Sequence, residues 1–115
     1  MKAEDLMVGD WVNLYGEPIK INIDDLCTID RDETYDNGVH CKPILITPEI
    51  LEKNGYKRGL LIHEYKISDG LYYDLECGIL LFGYEHGTVL EINCNYVHEL
   101  QHTLKLCGIE KEIVL

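Results

Sequence analysis

Apolar and polar positions alternate in short bursts along most of this chain, and turn-forming residues separate the bursts. Leu6-Met7-Val8-Gly9-Asp10 leads into Trp11 to Tyr15, which predicts a strand closed by a turn at Gly16-Glu17-Pro18. Ile19, Ile21 and Ile23 alternate with Lys20, Asn22 and Asp24, which predicts a second strand with one buried face. Leu26 to Ile29 is a candidate third strand, and Asp30-Arg31-Asp32-Glu33 reads as a charged connection. Asp36-Asn37-Gly38 reads as a hairpin turn, because Asn and Gly accept the positive φ that such turns need. Strands on either side of it would end at Ile44 to Ile46.

The period changes at Thr47. This residue is a natural N-cap, and Pro48 suits the first helical position, where its missing N–H costs nothing. Gly55 ends the short helix and places Tyr56 to pack back on Leu51. Residues 60–93 read as an antiparallel meander with turns at Ser68-Asp69-Gly70 and Glu85-His86-Gly87. In it Tyr73, Leu75 and Cys77 alternate with Tyr72, Asp74 and Glu76, and Leu90 and Ile92 with Val89, Glu91 and Asn93. A second helix is predicted from about Tyr96 to Cys107, stopped by Gly108, with Ile109 folding back on Leu104. Glu112 to Leu115 would form a short last strand.

These elements predict an α+β fold, mostly antiparallel β. It has an SH3-like N-terminal part, a short middle helix, a β-meander and a C-terminal helix. There is no linker, repeat or low-complexity stretch. Residues 1–115 read as one domain, with 1–46 and 47–115 as its finest division into sub-lobes. At 115 residues the chain is long enough to bury a core without metal or disulfide staples.

Composition narrows the class. Hydrophobic residues make up 46% and charged residues 27%, a globular balance. Met1-Lys2-Ala3-Glu4-Asp5 is polar and shows no apolar secretory core, and no apolar run reaches a membrane span, so the cytoplasm is the expected compartment. The five cysteines are odd in number and form no C-x-x-C pair, so reduced, buried thiols are expected. The net charge of −11 is spread along the chain, and no local basic run offsets it. Such a chain repels phosphate backbones, so no nucleic acid partner is expected. The same acidity would suit a protein that imitates DNA. The tyrosines of the meander (Tyr65, Tyr72, Tyr73 and Tyr84) read as cross-strand aromatic pairs or a contact face.

The one stretch that spells a chemistry is His98-Glu99-Leu100-Gln101-His102, of the form H-E-x-x-H. On a helix, residues four apart share a face. His98 and His102 could therefore hold one Zn²⁺ while Glu99, as catalytic base, activates its water. On the helical wheel Val97, Leu100, Leu104 and Cys107 cluster on one side and the histidines face roughly the other way. A catalytic zinc needs three protein ligands; the metzincin extension asks for a glycine at position 105 and the third histidine at position 108, and this chain has Lys105 and Gly108 there. Cys94, Glu110 and Glu112 remain as candidates. Without a third ligand the pair reads as two exposed histidines on the solvent face of an amphipathic helix. His40, His63 and His86 are scattered among strands and a turn.

Three segments together carry a resemblance. They are Leu6-x-x-Gly9-Asp10-Trp11-Val12, Ile46-Thr47-Pro48-Glu49-Ile50-Leu51-Glu52-Lys53-Asn54-Gly55-Tyr56, and Tyr96-Val97-His98-Glu99-Leu100-Gln101-His102. Over nearly its whole length the chain resembles a group of short acidic proteins of gut Bacteroidales, without assigned activity, often linked to phages and mobile elements. That pattern asks for Tyr-Val-His-x-Leu-Gln in the late helix and does not demand the second histidine. The resemblance implies a structural helix there and supplies no active-site residues. The leading expectation is thus a non-enzymatic accessory protein that acts through contacts with another protein and holds no cofactor. A minimal zinc hydrolase and an acidic DNA mimic are the alternatives.

Overall fold

In a computed structural model of the protein, which describes residues 1–59, 61–83 and 90–115, most of the alternating segments become antiparallel strands. The elements run β1 (Trp11–Leu14), β2 (Glu17–Lys20), α1 (Ile23–Asp36), β3 (Cys41–Lys42), α2 (Pro48–Lys53), β4 (Lys57–Arg58), β5 (Glu64–Ser68), β6 (Leu71–Asp74), β7 (Ile79–Phe82), β8 (Leu90–Asn93) and α3 (Val97–Leu106). The fold is α+β. The turn expected at Glu85-His86-Gly87 lies outside the described residues. No helix among the described residues is long and apolar enough to cross a membrane. The chain divides into two compact units, Met1–Leu45 with Tyr96–Ile109, and Ile46–Asn95 with Glu110–Leu115. The C-terminal helix therefore groups with the front of the chain.

In the first unit the three strands lie in the order β2-β1-β3, all antiparallel. Val12 and Leu14 alternate inward from β1 and join Leu6, Ile21, Ile29 and Cys41 in one buried cluster. Truncating Ile29, which is fully buried, would cost about 2–5 kcal/mol in lost transfer energy and cavity.

The main departure from expectation is α1. The predicted strand through Ile23 stops at Lys20, and the segment expected as strand and charged connection is one helix of 14 residues. Its start is a reciprocal capping box, in which the Asn22 side chain accepts from the Asp25 amide and the Asp25 carboxylate accepts from the Asn22 amide, each at 2.9 Å. Ile23 looked like the third member of an alternating strand, but it sits at the first helical position and is 64% exposed. Asn37 does take the expected positive φ, at 56°, but as the left-handed residue that ends α1 rather than as a hairpin turn.

In the second unit, five antiparallel strands run in the order β4-β5-β6-β7-β8. The helix before them forms as predicted: Thr47 accepts from the Ile50 amide at 3.2 Å, and the Tyr56 amide closes back on the Leu51 carbonyl at 3.1 Å. The turn at Ser68-Asp69-Gly70 also forms, between β5 and β6. The alternation from Tyr73 to Cys77 does not extend as one strand. It breaks after Asp74, whose side chain accepts from the Cys77 amide at 3.0 Å, and Gly78 completes the turn at φ 67°. A side chain at Gly78 would push the Asn95 amide group aside, and the positive φ there favours glycine. The expected last strand at Glu112 to Leu115 is absent. That segment is fastened instead by Asn54, which accepts from the Val114 amide and donates to the Val114 carbonyl, each at 2.8 Å.

Candidate functional site

The helix predicted over the H-E-x-x-H segment forms as α3, but its polar side is not a solvent face. His98 is only 8% exposed and Gln101 9%, alongside the expected apolar residues Val97, Leu100 and Leu104. Cys107, expected on the apolar side, is exposed. The polar side is covered because the chain entering β1 packs along it. The Gln101 amide group bridges two backbone positions, donating to the Gly9 carbonyl and accepting from the Trp11 amide, both at 2.9 Å. His102 Nε2 donates to Asp10 Oδ2 at 2.6 Å, and the same oxygen accepts from the Met7 amide at 2.8 Å. Asp10 itself is fully buried. The helix is thus held to the start of β1 by a side-chain amide, a histidine and a carboxylate.

Two polar atoms of this cluster, Asp10 Oδ1 and His98 Nδ1, are buried and have no hydrogen-bond partner among the described residues. His98 lies parallel to Tyr96 at 6.0 Å between ring centres and edge-on to His102 at 5.8 Å. Burial pulls its pKa below the ordinary 6.5, with His102 acting the same way and the carboxylates of Glu99, Asp10 and Asp5 opposing.

Glu99 has a different task from the one its motif assigns. It lies in the first turn of α3, and its Oε1 accepts from the Tyr96 amide at 3.1 Å, the reach-back bond of a helix start. That bond engages one of its two carboxylate oxygens. A metal would have to displace the Asp10 bond to reach His102 Nε2. No described His, Cys, Asp or Glu forms with His98 and His102 a trio whose ligand atoms lie within 4.8 Å of one another. Asp10 is the added donor that sequence reading missed, but the three side chains as arranged do not fit a zinc centre. What the arrangement does chemically is tie a helix to a strand.

One trio of potential ligands does converge, at the far end of α1. Asp32 Oδ1 stands 2.5 Å from His40 Nδ1, and Asp36 Oδ2 stands 3.9 Å from the same nitrogen. The second Asp32 oxygen accepts from the His40 amide at 3.1 Å. Tyr15, itself at a positive φ of 52°, stacks on the His40 ring at 4.6 Å. Burial raises the pKa of Asp32, but the ring and amide bonds of His40 and its charge outweigh that and hold the carboxyl below 3.8. Every short contact here joins Asp32 to His40, so the cluster serves as a clasp closing the helix end onto β3. His40 was expected to be an isolated strand histidine. The signal for its role is its spacing of eight from Asp32, across a helix end that the sequence presented as a hairpin.

Comparison of the chain with models of known families, with curated proteins and with solved structures finds no match.

Proposed function

We propose that this protein is a non-enzymatic, cytoplasmic accessory module that acts by binding another protein, in the setting of a phage or other mobile element. The observation that carries the interaction reading is β8. It is an edge strand of the five-stranded sheet, and all four of its residues are exposed, with Leu90 at 61% and Ile92 at 40%. An edge strand offers unpaired backbone groups, and an incoming strand from a partner can extend the sheet while its side chains meet Leu90 and Ile92. The non-enzymatic part is supported by the employment of Glu99 and His102 as fasteners of α3. Five free thiols accord with a reducing compartment. The mobile-element setting rests on the resemblance of the three segments alone.

Affinity capture with the full chain should retain one defined protein. A Leu90→Lys, Ile92→Lys chain, equally folded by circular dichroism, should fail to retain it. Capture unaffected by that pair of substitutions would remove the role of β8. A stoichiometric metal in protein purified without a metal-affinity tag, together with hydrolysis abolished by Glu99→Gln, would overturn the non-enzymatic reading.

A further inference from the structure

The sequence contains no basic run, yet the second unit gathers lysines that are far apart in the chain. Lys57, Lys66 and Lys111 line a single depression of about 380 Å³. The β4–β5 register sets Lys57 directly opposite Lys66. Like charges at directly opposed positions of an antiparallel pair destabilise it. Lys111 reaches in from the C-terminal segment, where its ammonium group lies 4.8 Å from the centre of the Tyr56 ring and donates to the Asn54 carbonyl. Asp69 is the one acidic residue on the described lining, and it pairs with Lys66 at 3.3 Å. The lining is therefore positive in a chain whose net charge is −11.

Tyr56, on the same lining, is 7% exposed, and its hydroxyl is buried without a hydrogen-bond partner among the described residues. Burial pushes that hydroxyl up to about 12, so it stays neutral. The depression is shallow and open, and the three ammonium-bearing side chains that line it give it the charge pattern of an anion-binding surface. A dianion lying between Lys57 and Lys66 would turn their repulsion into two charge-assisted hydrogen bonds.

We propose that this depression binds a small phosphorylated molecule, its phosphate held by Lys57, Lys66 and Lys111. The depression is larger than a phosphate needs, which leaves room for an organic group. This site is separate from β8 and does not depend on the protein-binding reading.

The test is calorimetric titration of the full chain, at constant ionic strength, with inorganic phosphate and with phenyl phosphate. Saturable one-to-one binding is expected. Tighter binding of phenyl phosphate assigns the site to a phosphate monoester, and equal binding assigns it to free phosphate. Lys57→Gln should weaken binding by about tenfold, the loss of one charge-assisted hydrogen bond. In the absence of ligand the same substitution should leave the thermal midpoint unchanged or raised, because it removes a like-charge pair. Lys111→Gln should weaken binding as well, and Lys2→Gln, in the first unit, should not. The proposal fails if no saturable binding occurs up to about 10 mM phosphate, far above the range of useful small-ligand affinity. It fails equally if Lys57→Gln and Lys111→Gln bind like the unmodified chain, or if Lys2→Gln weakens binding as much as they do.

Discussion

Asp10 has no exposed surface, and one of its oxygens takes hydrogen bonds from both the Met7 amide and His102. Asp10→Ala strands both donors, and the helix that carries His102 loses one of its ties to the chain entering β1. Both donors are only partly buried and can turn to water, so the loss is about 1 kcal/mol, the net worth of an ordinary hydrogen bond, and the urea unfolding midpoint should fall accordingly. A midpoint that did not move would mean that Gln101 alone holds α3 in place. Asp32 presents the titrating counterpart. Its carboxyl is held below 3.8 by His40 in spite of burial, so just below 3.8 the folded protein binds fewer protons than the unfolded chain. The stability that this clasp contributes is thus fully present above that pH and is lost as the pH falls through the lowered value. Asp32→Asn should lower stability most above pH 3.8, and the gap to the unmodified chain should close in more acidic solution. Denaturant midpoints measured across that range read the effect directly. A gap of constant size would show that the His40 contacts do not depend on the Asp32 charge.

Among the elements, α1 departs furthest from what the pattern of residues suggests. Its inward positions are few: Leu26 is half-buried, Ile29 is buried, and the next inward residue is the charged Asp32. An apolar stripe that short does not register as a helical period. The alternation of Ile19, Ile21 and Ile23 meanwhile ran straight across the cap. The legible clue was Asn22 followed three positions later by Asp25, a capping box written with an acid in place of the usual glutamate. Because α1 has so little apolar face, its cap should matter more than usual. Asn22→Ala should cost about 1 kcal/mol in thermal or urea unfolding. In contrast, α2 and α3 were legible because Thr47-Pro48, Gly55 and Gly108 punctuate them clearly. The helix under the H-E-x-x-H motif could be read, whereas its surroundings could not. The residues that cover it, Gly9 to Trp11, lie 90 or more positions earlier in the chain, and no local pattern encodes such a pairing.

For the molecule as a unit, distance along the chain hides more than local composition reveals. The lysines of the depression come from β4, β5 and the C-terminal segment, so an even spread of acidic charge in sequence became a local excess of positive charge in space. Two of the three segments that carry the family resemblance, Leu6 to Val12 and Tyr96 to His102, prove to be the two sides of the fastening between β1 and α3. The third is the capped helix α2 with Asn54, which secures the C-terminal segment through Val114.

The hydrogen bonds of Gln101 span 90 and 92 positions, and they carry a consequence for how the protein is made. Residues Gly9 to Trp11 leave the ribosome early, whereas Gln101 is added only after the entire stretch Ile46–Asn95, most of the second unit, has been synthesised. Until then the first unit lacks α3, and the carboxylate of Asp10 has no histidine to meet. The second unit has most of its chain in hand while the first still waits for α3. The unit whose chain begins first therefore waits for α3 until most of the other has been made, and the second unit in turn receives its last residues, Glu110–Leu115, after α3.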